Sequence, residues 1–318
     1  YTGFILIVLI MLGSYFLLKP SDAEMKKEQL VQDSIKRAKA ATAVVKATKP
    51  DTTKKAVTIA DSALIKIPFG IASVGNEQFV TLENQKLRIK LCNKGGRVYS
   101  VELKDYKTYN GKPLILFQGN NNSFGLTFRA QEKPINTNDL YFKPSAQNLT
   151  VAAKVSGSVT MRLSYSPTQY IDYIYTLKGT GFKLGLIIKT TGLDNVIANN
   201  NSLNITWSAD MQKQEMDIEQ ERRYTTIYHL NTEDGLDYLS STKDDHADIT
   251  DKKLQWVSFQ AHFFSGVIIA DKGFSKSNLK VSTDVTDSLH SKQMSANLNI
   301  DRQADGSFPL TFYFGPNK

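Results

Sequence analysis

The chain has one cysteine among its 318 residues, Cys92, and this scarcity excludes an intramolecular disulfide. Cys92 also lies far from the apolar residues at the start of the chain, so a lipid anchor attached through cysteine is not favoured. Without covalent cross-links, the fold depends on burial of apolar surface. The roughly 260 residues after residue 60 are enough for one large all-β domain, since domains of this class reach that size.

Signatures of catalysis and cofactor binding are also lacking. The four histidines are scattered, and no pair has the spacing of zinc ligands. Gly95-Gly96 and Gly179-Thr180-Gly181 precede strand patterns rather than helices, so they are turn formers and not phosphate loops. No Gly-x-Ser-x-Gly motif occurs in the sequence. The sequence therefore predicts no catalytic, cofactor-binding or metal-binding residues.

Three segments offer weaker candidates for a site. The run 244–248 (DDHAD) is the best cation candidate but lacks the spacing and the glycine of a calcium loop, which favours a solvated acidic turn. His262 lies in an apolar stretch and could act as a buried base, although a histidine with one satisfied hydrogen bond is the commoner outcome. Four aromatic residues could stack on a carbohydrate, but core packing is favoured for them: Trp256, Phe259, Phe263 and Phe264.

The formal net charge of +8 raises the question of a nucleic-acid partner. Between Lys19 and Lys55 there are ten basic and five acidic residues, which leaves +3 for the rest of the chain. The excess charge is therefore concentrated outside the predicted domain, where it suits anionic lipid headgroups. A folded basic face with interleaved aromatics, as nucleic-acid binding requires, is not indicated.

Residues 1–18 contain no charged side chain and are long enough to span a bilayer as one helix. We expect this segment to be a transmembrane anchor whose side chains contact lipid, among them Phe4, Ile7, Leu12, Tyr15 and Phe16. A cleaved signal peptide is the alternative, because Ser21 and Ala23 fit a cleavage site. The basic residues after the apolar run favour the cytoplasmic side for the rest of the chain, yet long domains cross membranes largely regardless of charge. Charge alone leaves the topology open.

Residues 19–60 are predicted to form a polar helical and flexible linker. Ser21 and Glu24 fit a capping box, and a thin apolar stripe follows at steps of three or four residues. Residues 48–58, rich in threonine and lysine and containing Pro50, are typical of a flexible segment.

Residues 61–318 are predicted to form one β-sandwich domain. From about Gln78 the apolar residues recur with a period of two, as in Leu87, Ile89 and Leu91, which is typical of half-buried strands. Many such strands imply antiparallel sheets packed face to face, so the fold class is mainly β with few short helices. Residues 211–224 (MQKQEMDIEQERRY) are the one helix predicted within this domain.

An ordered set of strings resembles the YidC-type membrane protein insertases. Gln32-Asp33-Ser34-Ile35 follows the apolar segment, and longer strings follow in order: LENQKLRIKLCNKGGRVYSVELKDYKTYNGKPLILF (82–117), SFGLTF (123–128), NTNDLYF (136–142), LQWVSFQAHFF (254–264) and FYFGPNK (312–318). Together they are similar to the first transmembrane helix and large periplasmic domain of that family, and they cover nearly the whole chain.

The resemblance implies an antiparallel β-supersandwich of mutarotase-like architecture in the periplasm, held at the bacterial inner membrane by one N-terminal span. It implies a non-enzymatic accessory domain that aids insertion and folding of inner-membrane proteins, alone or with the Sec translocon. The expected partners are the lipid bilayer, nascent membrane proteins and Sec components, with no cofactor, nucleic acid or small-molecule substrate. A periplasmic carbohydrate-binding or carbohydrate-processing sandwich and a structural envelope protein remain as alternatives, since fold alone does not define function.

Overall fold

The computed structural model describes Leu64 and residues 66–317, and most of these residues form strands. In its first half the strands are β1 Phe79–Glu83, β2 Leu87–Cys92, β3 Arg97–Lys107, β4 Pro113–Gln118, β5 Asn122–Ala130, β6 Lys133–Asn136, β7 Lys143–Pro144, β8 Asn148–Thr150, β9 Ser156–Ser166 and β10 Gln169–Lys178. In its second half they are β11 Lys183–Thr191, β12 Ser202–Gln212, β13 Thr226–Asn231, β14 Gly235–Tyr238, β15 Asp245–Ile249, β16 Leu254–Gln260, β17 Phe264–Ser282, β18 His290–Asp301 and β19 Ser307–Pro316.

Helical structure is short in this part of the chain. One α-helix, α1, spans Ile218–Tyr224, and short 3-10 helices span Gly70–Ser73, Gly119–Asn121 and Thr137–Asp139. None of the helices described has the length and apolar character that a membrane crossing needs. The predicted anchor residues Phe4, Ile7, Leu12, Tyr15 and Phe16, together with the linker predicted to residue 60, lie outside the described residues.

A five-stranded sheet has the order β4-β3-β2-β1-β8. Gly95 and Gly96, which were predicted to form a turn, lie between β2 and β3, and these strands pair antiparallel as a hairpin with Ile89 opposite Val101. Gly95 and Gly96 both adopt positive φ, which other residues rarely do. Leu87, Ile89 and Leu91 are fully buried, whereas the intervening Arg88 and Lys90 are not.

A fourteen-stranded sheet carries most of the domain. Its main path is β6-β5-β12-β18-β17-β19-β11-β10-β9-β7, and β13, β14, β15 and β16 extend it from β17. The long strand β17 pairs with β16 and β19 through its first half and with β15 and β18 through its second. The pairs within this sheet are antiparallel, as the period of two predicted.

The two sheets share one hydrophobic core. Phe117 of β4 packs edge-on against Trp207 of β12 and Phe314 of β19, with ring centroids 6.2 Å and 5.8 Å away. Gly266 of β17 makes this approach feasible, because a Cβ there would lie 2.4 Å from the Phe117 ring. Tyr175 is also fully buried, and its hydroxyl donates to the carbonyl of Gly96 at 2.8 Å. Burial by itself, without a disulfide, therefore joins the sheets.

Helix α1 is shorter than predicted. Asp217 caps its first turn by accepting hydrogen bonds from the amides of Glu219 and Gln220 at 2.9 Å and 3.1 Å. The predicted helix from residue 211 is wrong for the first residues, since Met211 and Gln212 are the last residues of β12. Strand pairing there overrides the helix propensity of the segment.

Candidate functional site

An apolar patch lies on the solvent-facing side of the large sheet, across β14, β13, β16, β17 and β19. Alternation along each strand places one set of side chains in the core and the other set on this side. Strand pairing aligns the second set in two rows: Leu236, Leu230, Trp256, Ile269 and Thr311 in one, and Tyr238, Tyr228, Ser258, Val267 and Tyr313 in the other. We call the eight apolar members of these rows, which exclude Thr311 and Ser258, the outer-face patch.

Solvent reaches the patch to different degrees. Leu236 and Tyr238 are 61% and 59% exposed, while Trp256, Val267 and Ile269 are half-buried by their neighbours in the sheet. Large exposed apolar surfaces on a sheet face are uncommon in monomeric proteins and mark contact sites. The patch is therefore the strongest candidate for a binding surface in the described part of the chain.

A cavity of about 270 Å³ opens on the same face and includes Trp256, Val267 and Ile269 in its lining. Its far side is formed by Lys183 of β11, Tyr313 of β19 and the residues after it. The end of β19 is held in place because the Tyr313 hydroxyl donates to the carbonyl of Pro316 at 2.7 Å. The patch therefore contains a recess as well as a flat surface.

Asn317 fixes the margin of this cavity. Its side-chain amide donates to the carbonyls of Ala261 and His262, each at 3.0 Å, and its backbone amide donates to the carbonyl of Phe263 at 2.8 Å. The Ser265 hydroxyl donates to the Asn317 side-chain oxygen at 2.5 Å. These bonds join the end of β19 to the turn between β16 and β17.

The electrostatic character of the site is nearly neutral. Among the described residues that line the cavity, Lys183 is the one that carries a charge, and Ser258, Gln260, Ser265 and Asn317 supply hydroxyl and amide groups. Burial raises the pKa of Tyr313, so its hydroxyl stays protonated at neutral pH. Such a surface suits an uncharged, apolar ligand better than an anion or a cation.

The four aromatic residues for which core packing was predicted occupy different positions. Phe259 and Phe264 are buried, and Phe259 stacks on Trp207 with ring centroids 3.7 Å apart, so the prediction is confirmed for these two. Phe263 is 53% exposed, so the prediction is wrong there. Trp256 is half-buried on the outer face because it points away from the core side of β16.

Among the residues that the structure describes, the imidazole of His262 has one hydrogen-bond partner, which sequence alone could not identify. Its Nδ1 lies 2.8 Å from Oε1 of Glu215, as in a donated N–H···O bond. The imidazole stacks on Tyr224 and Phe263 with ring centroids 4.2 Å and 3.9 Å away. The hydrogen bond between His262 and Glu215 joins the turn after β16 to the segment before α1. The role of the two side chains is therefore to position these segments.

Most of the acidic run 244–248 lies in strand β15 rather than in the turn favoured from sequence. Its carboxylates contact separate groups: Asp244 accepts from the amide of Thr283, and Asp245 accepts from the amide of Ser240. Within the described residues no three potential ligands converge on a metal position. Cys92 is buried in β2, and burial raises the pKa of its thiol.

The sequence alone does not reveal the patch, because its members are far apart in the chain. Trp256 and Ile269 share an apolar segment that is typical of a core strand, and only the pairing of β16 with β17 brings them together. Leu230 and Leu236 join them through β13 and β14. A sequence signal existed within β16, where Trp256, Ser258 and Gln260 alternate with Val257 and Phe259.

These features define the class as an all-β domain in which a large antiparallel sheet packs on a smaller one. The family model described as YidC periplasmic domain matches residues 79–318. A curated relative from Bacteroides fragilis, named membrane protein insertase YidC, is 34% identical over 99% of this chain and 50% of its own length. The chain belongs to the YidC periplasmic domain family, and it spans about half the length of the curated relatives it matches.

Two solved structures align with about three quarters of this chain. The periplasmic domain of Thermotoga maritima YidC aligns with 77% of this chain and 86% of its own, with 10% identity and a TM-score of 0.35. A galactose mutarotase-like protein from Lactobacillus casei aligns with 76% of this chain and all of its own, with 9% identity and a TM-score of 0.46. The carbohydrate alternative is not favoured, because the family match and the relatives point to insertases.

Proposed function

We propose that this chain is the periplasmic accessory domain of a membrane protein insertase and aids the insertion and folding of inner-membrane proteins. The observation that carries the proposal is the 34% identity, over 99% of the chain, to a relative named membrane protein insertase YidC. The match of residues 79–318 to the periplasmic domain of that family supports the same assignment. Because the chain spans half of that relative, it is one part of the machinery in this proposal.

The proposal places the domain on the periplasmic face of the inner membrane, tethered by a span within residues 1–18. The absence of charge from that segment and its length support the tether. In this arrangement Phe4, Ile7, Leu12, Tyr15 and Phe16 contact lipid, and the basic residues that follow contact headgroups. The tether keeps the β-domain close to membrane proteins as they emerge.

We also propose that the domain acts by binding and not by covalent chemistry. The outer-face patch has the uncharged, apolar character of a contact surface. His262 and Glu215 are the two side chains that most resemble a general-base pair. The imidazole is packed between two aromatic rings, however, and this arrangement suits a structural role in holding the neighbouring segments. Client proteins and the Sec translocon are the partners in this proposal.

Depletion of the full-length protein that carries this chain tests the function. Insertion of small membrane proteins with short periplasmic segments should fall, whereas export of a soluble periplasmic protein serves as the control. Unchanged insertion of every membrane protein under depletion would contradict the proposal. Co-purification of translocon subunits with the full-length protein in mild detergent tests the Sec partner separately.

A further inference from the structure

The outer-face patch is continuous and is not covered by the described part of the chain. Strand pairing sets Leu236 beside Leu230, Leu230 beside Trp256, and Trp256 beside Ile269. In the next row Tyr238 stacks at a tilt on Tyr228, with ring centroids 5.2 Å apart. Eight apolar side chains on five neighbouring strands therefore form one surface, and Leu236 and Tyr238 are its most exposed members.

The absence of charge on this surface limits what can bind. Anionic lipid headgroups and nucleic acids need several basic groups, and Lys183 is the single basic residue that the described part of the chain contributes to the cavity. A charged side chain buried against Trp256 or Ile269 would lose hydration, and of such charges one carboxylate at most could gain Lys183 as its counter-ion. The occupant is therefore uncharged where it contacts the patch.

The hydrogen-bonding groups of the cavity favour a polypeptide over an acyl chain. Ser258 and Gln260 lie beside the apolar residues, and neither side chain forms a hydrogen bond with the part of the chain described here. The amide and carbonyl groups of a peptide would satisfy these groups, whereas a hydrocarbon chain would bury them unpaired. A peptide with apolar side chains matches both the hydrogen-bonding groups of the cavity and the apolar side chains beside them.

We infer that the outer-face patch binds an uncharged, apolar polypeptide segment of a client membrane protein before that segment enters lipid. This inference rests on the proposed function, since it names the surface and the chemistry through which the domain acts. The apolar segments of membrane proteins need shielding from water until they reach the bilayer, and the patch provides a matching surface.

Site-specific photo-cross-linking tests this inference in the full-length protein. A photoreactive phenylalanine analogue replaces Val267 in the patch or, as a matched control on the same strand, the exposed Lys280. The probe is a ribosome-arrested nascent chain that carries an uncharged leucine-rich segment of about twenty residues. A second nascent chain has two aspartates in that segment.

We expect position 267 to cross-link the leucine-rich segment and position 280 not to do so. The aspartate-containing segment should cross-link about tenfold less, which corresponds to about 1.4 kcal/mol. Equal cross-linking from both positions, products with a second copy of the chain alone, products with lipid alone, or no product would each overturn the inference. If insertion still depends on the protein in that case, the proposed function stands without this surface.

Substitutions provide a second test. Val267→Thr with Ile269→Thr keeps β-branched residues on β17 and removes apolar surface, and Val285→Thr with Leu289→Thr is the control in an exposed loop. With the photoreactive analogue in place of Tyr313, the β17 pair should lower the yield of client cross-links about tenfold. The loop pair should leave the yield unchanged. Equal yields from both pairs, at equal thermal stability, would overturn the inference.

Discussion

Arg97 is a buried cation without a carboxylate partner among the described residues. Its guanidinium donates to the carbonyls of Val98 and Gly119, each at 3.3 Å, and to the side-chain oxygens of Asn120 and Asn122. Burial lowers the pKa of Arg97, and the side chain is still expected to be charged at neutral pH because arginine ordinarily titrates far above it. The fork of the guanidinium thus ties the start of β3 to the segment before β5.

We expect Arg97→Lys to lower the free energy of unfolding by about 2 kcal/mol. A single ammonium group cannot reach four acceptors spread around a planar fork, so some become unsatisfied. Arg129→Lys is the control, because Arg129 is exposed and its ion pair with Glu132 contributes about 0.5 kcal/mol or less. Urea unfolding followed by tryptophan fluorescence measures both. Equal effects of the two changes would show that Arg97 has no special structural role.

We expect His229 to make the domain less stable in acid. It is buried on the core side of β13, its Nδ1 has no hydrogen-bond partner in the part of the chain described, and burial lowers its pKa. The unfolded chain therefore binds a proton near the ordinary histidine pKa of about 6.5 while the folded chain does not. Stability should fall as pH drops below that value, and His229→Leu should reduce the fall.

Urea midpoints measured at pH 7.5, 6.5 and 5.5 check this prediction. His246→Leu is the control, since His246 is exposed on β15. Glu221 and Asp210 act in the opposite direction, because burial raises the pKa of each carboxyl group and acid then favours the folded state. Glu221 and Asp210 are present in both histidine variants, so their contribution to the pH dependence cancels when His229→Leu is compared with His246→Leu. A pH dependence that His229→Leu leaves unchanged would contradict the assignment.

At the scale of the elements, β16 shows how one strand serves both the core and the surface. Phe259 faces inward and stacks on Trp207, while Trp256, three residues earlier, faces outward beside Ile269. We expect Phe259→Ala to cost about 3–5 kcal/mol of stability, since it leaves a cavity in the core. Trp256→Ala should cost about 1 kcal/mol, because the side chain is partly exposed on the outer face. Thermal melts followed by circular dichroism compare the two, and equal losses would contradict the assignment of faces.

Local patterns were sufficient to predict many of the strands. Leu87, Ile89 and Leu91 alternate with polar residues, and the glycines after them allow the turn, so both halves of that hairpin were predictable. The segment from Met211 failed because its helix propensity competes with pairing to β18, which lies far along the chain. Helix α1 begins only where Asp217 supplies a cap. The local sequence indicates only the helix propensity of this segment. Pairing with the distant strand β18 determines where β12 ends, and therefore where a helix can begin.

At the scale of the whole molecule, the candidate site depends on sheet order and could not be predicted from sequence. β17 pairs with β16 and with β19, so Val267 lies between Ser258 and Tyr313. Each of these residues alone is compatible with a core position. Whether a half-buried residue faces the core or the outer face is decided by the registers between paired strands, some of them far apart in the chain. The family, in contrast, was predictable, because an ordered set of strings resembles it over nearly the whole chain.

The two sheets should unfold together, since aromatic contacts connect them. Phe117 of the small sheet contacts Trp207, and Trp207 stacks on Phe259 of the large sheet. Cys92 lies in the small sheet and is the single cysteine of the chain, so reaction of its buried thiol with a disulfide reagent reports opening of that sheet. Phe259→Ala, in the other sheet, should raise the labelling rate about 100-fold. A loss of about 3 kcal/mol in stability increases the population of the open state by about that factor.

Trp256→Ala is the control, and it should raise the labelling rate about tenfold or less. The exposed substitution Thr242→Cys, in a chain that also carries Cys92→Ser, gives the rate without protection. If Phe259→Ala lowers the melting temperature but leaves the rate at Cys92 unchanged, the small sheet opens independently of the large one. An accelerated rate instead requires that the core contacts around Trp207 hold both sheets in one cooperative unit.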